Sequence, residues 1–160
     1  MKTIYSKPQK SKIKISKKIF NNLITKIVEL TNLNIKSDQI ISISFVGPRT
    51  ITRINRTFVG HTGITDVISF DYRNDDIMDN DVAIELIICI NKAEAEASLR
   101  SETYFAKELT LYIVHGILHM TGFDDLTPED RILMRREEKK VMLQLEKAFN
   151  FNDIFTLTKS

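Results

Sequence analysis

The segment His115-Gly116-Ile117-Leu118-His119-Met120-Thr121-Gly122-Phe123-Asp124-Asp125 restricts the fold more than any other part of the chain. Two histidines four residues apart on a helix sit about 40° apart around its axis and one turn apart along it. Their imidazoles therefore reach the same point in space. Gly122 follows His119 by three residues, where a helix that stops and turns back uses a left-handed residue. Asp125 then brings a carboxylate to the pair, with Asp124 beside it as a competitor, because aspartates also follow helix-ending glycines for reasons of turn geometry. Two imidazoles and one carboxylate leave a fourth position open, which is the layout of a catalytic zinc centre rather than a closed structural one. The expectation is one Zn²⁺ per chain at the end of a central helix, held by His115, His119 and Asp125.

The same segment argues against one familiar chemistry. In HExxH metallopeptidases a glutamate follows the first histidine and takes the proton from water. Gly116 stands at that position and has no side chain. Glycine inside a helix costs about 1 kcal/mol relative to alanine, so a reason for it is expected. Two fit: clearance beside the metal for a bulky substrate, or close packing against a neighbouring strand. A zincin-type metallopeptidase remains the least favoured alternative.

The segment resembles the signature HGxLHLxGYDH of the bacterial YbeY family of metal-dependent endoribonucleases, matching at His115, Gly116, Leu118, His119, Gly122 and Asp124. A second family segment, LNxxYRGKDxPTDVLSF, is similar to residues 54–70, INRTFVGHTGITDVISF. The apolar run Ala83-Ile84-Glu85-Leu86-Ile87-Ile88-Cys89 resembles the strand that family members carry before the metal helix. Two departures stand out. The family's third histidine ligand falls on Asp125, a replacement zinc chemistry tolerates. The family's arginine falls on Val59, which removes a cation suited to bidentate phosphate contact. Arg53, Arg56 and His61 lie nearby, but none matches the arginine's position, so no residue is assigned a catalytic role.

The resemblance implies a cytoplasmic, zinc-dependent, single-strand-specific endoribonuclease acting in small-subunit rRNA maturation and ribosome quality control. Its implied partners are ribosomal RNA, a small-subunit ribosomal protein and an assembly GTPase. The loss at Val59 keeps open a ribosome-assembly factor that retains a structural metal and no longer cleaves.

Charge supports a polyanion partner. Residues 1–28 hold eight lysines and no acid, while the rest of the chain carries 15 basic and 21 acidic residues. A basic pole on an acidic body suits RNA; a tail that only solubilises is the alternative. Residues 1–10 are expected to be a flexible basic arm on a single domain spanning 1–160. No run approaches the length of a membrane span, no apolar stretch of a secretory signal follows the first lysines, and Cys89 alone cannot form an internal disulfide.

Periodicity completes the reading. Strands are expected at 12–15, 39–46, 67–70 and 82–90. Ser16 should cap a helix whose stripe is Ile19, Phe20, Leu23, Ile24, Ile27 and Val28. Gly47-Pro48 should open a helix through Phe58, with further helices at 91–98 and 101–120. Thr127-Pro128 should open the last, its run 135–140 a solvated face. The acidic stretch 71–81 lacks the sixth-position glycine and final glutamate of a calcium loop. Four strands and five helices predict an α+β domain, a mixed four-stranded sheet packed with helices.

Overall fold

Strand β5 (Val82–Cys89) buries Ala83, Ile84, Leu86, Ile87, Ile88 and Cys89. A near-continuous apolar run of this kind, interrupted only by Glu85, belongs to a strand covered on both faces, and the sheet is built around it. In the computed structural model, which describes residues 1–75 and 81–158, the strand order is β1-β3-β5-β4. Strands β1 (Lys2–Ser6) and β3 (Ile40–Val46) run parallel to β5, and β4 (Val67–Asp71) pairs antiparallel at the edge. The sheet is mixed and four-stranded and packs with five helices, as expected.

Its membership differs from the expectation. Residues 13–15 form a strand, β2 (Ile13–Ile15), but it pairs outside the main sheet with β6 (Phe155–Leu157). The fourth strand of the main sheet comes instead from the segment expected to be a flexible arm. Lys2–Ser6 pairs residue by residue with Ile40–Ser44. The cause is that β3 has an edge to satisfy: its backbone donors and acceptors need partners. The alternation of Lys2, Ile4 and Ser6 (exposed) with Thr3 and Tyr5 (half-buried) fits a half-covered edge strand.

One face of the sheet carries α1 (Lys17–Thr31), α4 (Phe105–Met120) and α5 (Pro128–Ala148) over the main core. The other face buries a smaller cluster of Ile51, Ile68, Ile87 and Cys89 under α2 (Pro48–Ile54). Helix α4 buries residues around most of its circumference, as a helix central to a core does. It starts at Phe105 and not at Ser101, because the preceding turn folds back onto it. Thr103 Oγ1 and Arg100 Nη2 donate to the buried Glu108 carboxylate at 2.7 and 3.1 Å. Helix α3 spans Ile90–Leu99. Helix α2 is prolonged by a π-turn, Asn55–Val59, ended by Gly60 at φ 76°. Thr127 caps α5 in a reciprocal pair with Asp130, whereas Ser16 caps α1 without a side-chain bond. Residues 76–80 of the acidic stretch at 71–81 lie outside the described residues.

Candidate metal centre

The C-terminal end of α4 is closed by a Schellman arrangement. Gly122, at φ 103°, donates to the His119 carbonyl at 3.2 Å, and Phe123 N–H donates to the Leu118 carbonyl at 3.1 Å. This reversal is what returns the chain so that Asp125 faces the helix it has just left. His115 Nε2 and His119 Nε2 stand 3.0 Å apart, and Asp125 Oδ2 lies 3.4 and 3.5 Å from them. A tetrahedral zinc with bonds of about 2.0–2.1 Å separates its ligand atoms by roughly 3.3–3.4 Å, so the three atoms fit one ion. Asp124 Oδ1 accepts the Asp125 N–H at 2.9 Å, a bond within the turn.

The ring nitrogens facing away are also committed. His119 Nδ1 lies 3.0 Å from the Phe123 carbonyl and His115 Nδ1 lies 2.5 Å from Glu138 Oε1. Each Nδ1 therefore carries the hydrogen and each Nε2 presents its lone pair, the tautomer a metal needs. Burial disfavours the His115 imidazolium. The Glu138 hydrogen bond and charge, with Asp66 and Asp125 behind it, outweigh burial and hold the His115 pKa above its ordinary value. The same field makes Nε2 a stronger ligand.

Glu138 lies in the run expected to be a solvated face, and its side chain is only 17% exposed. A signal was available. Met134, Glu138, Val141, Met142 and Leu145 share one stripe of α5, and the other four are buried. A glutamate on an apolar stripe needs a partner, and His115 is that partner. Arg131 likewise ties down the returning loop, donating to the carbonyls of Asp125 and Leu126 at 3.3 Å.

Gly116 is explained by packing. A Cβ there would stand 2.9 Å from both Leu86 Cδ2 and Ser69 Oγ, and 3.2 Å from Val67 Cγ2. Ser69 Oγ also donates to the Gly116 carbonyl at 3.3 Å. Strands β4 and β5 thus press on the helix where a metallopeptidase would carry its glutamate. Gly116→Ala should therefore lower stability by about 1–2 kcal/mol, overpacking outweighing the gain in helix propensity. An unchanged denaturation midpoint would show that the space is free.

Two clefts flank the site. One, of about 440 Å³, runs along the open edge of β4 and is lined by Val59, Val67, Ser69, His119 and Asp124 among others. The other, of about 210 Å³, lies between α4 and α5 and includes Asp66, His115, Asp125, Arg131 and Arg135. Val59 thus reaches the cleft where the arginine is missing, while Arg53, Arg56 and His61 line neither cleft. Arg131 and Arg135 are the cations that line the cleft between α4 and α5.

The family described as "Endoribonuclease YbeY" matches residues 5–146. A relative from Ureaplasma parvum serovar 3, named "Endoribonuclease YbeY", is 33% identical over 144 residues, covering 85% of this chain and 91% of its own. One of the same name from Chlorobium luteolum is 37% identical over 105 residues, 66% of this chain and 73% of its own. A solution structure from Thermotoga maritima superposes with a TM-score of 0.57 at 27% identity, covering 91% of this chain and 89% of that one.

Proposed function

The chain belongs to the YbeY endoribonuclease family, and from that membership we propose that it is a zinc-dependent endoribonuclease specific for single-stranded RNA. Its place of action in this reading is the cytoplasm, in small-subunit rRNA maturation and ribosome quality control. Ribosomal RNA is the substrate; a small-subunit ribosomal protein and an assembly GTPase are the proposed partners. No helix among the described residues is long and apolar enough to cross a membrane.

The observation that carries the reading is the convergence of His115 Nε2, His119 Nε2 and Asp125 Oδ2 beside an open cleft. These three residues would hold the ion, and Glu138 and the Phe123 carbonyl orient the two imidazoles toward it. Zinc at such a site supplies Lewis acidity, polarising a phosphate oxygen or lowering the pKa of a water. Arg131 and Arg135, which line the cleft between α4 and α5 with His115 and Asp125, would supply positive charge for a phosphate. The test is cleavage of single-stranded RNA by purified protein, with and without chelator, alongside metal analysis. Chelator-insensitive cleavage, or none, would overturn the reading.

Val59 favours one second reading, an assembly factor that binds RNA and keeps the metal for stability. Full RNA affinity with no metal-dependent cleavage would support it. The metallopeptidase alternative loses ground, because the side-chain space at Gly116 is filled by Leu86 and Ser69.

RNA contact by the basic pole has its own test. Lys2, Lys7, Lys10, Lys12, Lys14, Lys17 and Lys18 are all exposed, and of the eight lysines in this region only Lys26 is ion-paired among the described residues, to Glu29. Deleting residues 1–10 would remove strand β1, so the charge alone should be changed. Replacing Lys7 and Lys10, in the turn after β1, by glutamine should reduce the log–log salt slope of RNA binding by about 0.7 per lysine. An identical slope would assign these lysines to solubility.

A further inference from the structure

The segment that supplies Val59 to the β4 cleft exposes aromatic and aliphatic surface that the metal site does not use. Phe58 is 70% exposed and Val59 40%, both on the turn that prolongs α2, and Ile64, in the loop that follows Gly60, is 57% exposed. That segment is held in place. The buried Asn55 donates through Nδ2 to the Gly63 carbonyl at 3.2 Å and accepts the His61 N–H at 3.2 Å through its own carbonyl. The π-turn Asn55–Val59 sets the side chains at its end, a distortion often found at functional sites.

Phe58 is also the end of a ring ladder. It meets Phe70 edge to face, with centroids 6.2 Å apart at 88°, and Phe70 lies nearly parallel to Tyr72 at 6.2 Å and 7°. The Phe70 contact holds the Phe58 ring, and most of its surface stays in water. Val59, its neighbour, lines the same cleft as His119. A positioned, water-exposed ring one residue from the cleft lining suits a planar apolar ligand.

We propose that Phe58 stacks on an unpaired base of the RNA entering the β4 cleft, and that this stack contributes to single-strand selectivity. The inference rests on the endoribonuclease reading above and deepens it. Stacking platforms bind single strands with little sequence preference because every base offers a π-face. A base inside a duplex is covered on both faces by its neighbours and cannot be splayed onto the ring. The arginine's loss at Val59 gives the stack added weight, since a phosphate anchor beside it is gone. With the ring engaged, the strand is held by a base on the Val59 side of the cleft and by its backbone near His119.

Steady-state cleavage of single-stranded RNA by the zinc-loaded protein tests this. Phe58→Ala should raise KM about tenfold, the range of one lost base–aromatic stack, with kcat and zinc content little changed. Phe58→Leu, which keeps an apolar contact to Phe70, should behave like Phe58→Ala, while Phe58→Tyr and Phe58→Trp should match wild type. A short oligodeoxyadenylate should inhibit wild type about tenfold better than an abasic deoxyribose-phosphate chain of equal length. Phe58→Leu should be inhibited equally by both. If that variant keeps the wild-type KM and the preference for the base-bearing inhibitor, the stack is refuted and the enzymatic reading stands. A wild-type chain that neither binds nor cleaves RNA would remove both.

Discussion

His119→Ala is expected to abolish stoichiometric zinc binding and reduce RNA cleavage to the level of chelated wild type. The imidazole contributes one of three converging donors, with Nε2 3.0 Å from that of His115 and 3.5 Å from Asp125 Oδ2. Its other nitrogen is fixed on the Phe123 carbonyl, which orients the ring toward the ion, and alanine supplies no donor in its place. Metal bound only to the native state stabilises it by about 2.7 kcal/mol when free metal is 100-fold above Kd. For a domain of this size each kcal/mol moves the melting temperature by roughly 2–4 °C. Zinc-loaded wild type should therefore melt about 5–10 °C above His119→Ala. Chelated wild type should melt close to the variant, which separates the metal's contribution from the packing of the ring. Full zinc content in His119→Ala would refute the proposed site.

The largest effect in the opposite direction is expected at Asp125. A carboxylate in place of a neutral imidazole lowers the site's formal charge with Zn²⁺ from +2 to +1, which weakens its pull on a phosphate or a water. Asp125→His should retain zinc, because imidazole suits the ion as well as carboxylate does. It should raise turnover by about tenfold, equivalent to roughly 1.4 kcal/mol of barrier. Asp125→Ala should weaken zinc binding by at least about 100-fold, at or beyond the 10–100-fold loss typical of partners one step removed from the metal. Asp124→Ala should spare it, since Asp124 Oδ1 accepts the Asp125 N–H and serves the turn. Zinc titration of the three variants decides between the two aspartates. Zinc lost with Asp124→Ala but kept with Asp125→Ala would assign the ligand to the neighbouring residue.

Much of this site was legible because its signals are local. The spacing of His115 and His119, the glycine after the helix and the aspartate pair lie within one short segment, and helix geometry alone converts that spacing into proximity. The stripe of α1 and the apolar run of β5 were legible for the same reason. Other features were not. The strand at Lys2–Ser6 reads as a lysine-bearing tail until β3 offers it an edge. The strand at residues 13–15 is visible in its alternation, but its partner Phe155–Leu157 lies at the other end of the chain.

The α+β class, the helix that carries the histidine pair and the turn that returns a carboxylate to it were all written in the order of the residues. They follow from periodicities and turn chemistry spanning a few positions. Why Gly116 must be small became visible only on folding, since Leu86 and Ser69 arrive from two different strands. Packing also set Asp125 Oδ2 beside both imidazoles while Asp124 Oδ1 turned to the Asp125 N–H, and it brought Glu138 across from α5 to His115. It left Val59 in the cleft with no cation from Arg53, Arg56 or His61 to replace the arginine. One cause is common to all four. Local structure depends on neighbours in the chain, whereas close approach, burial and the orientation of a charge depend on which distant segments pack against it.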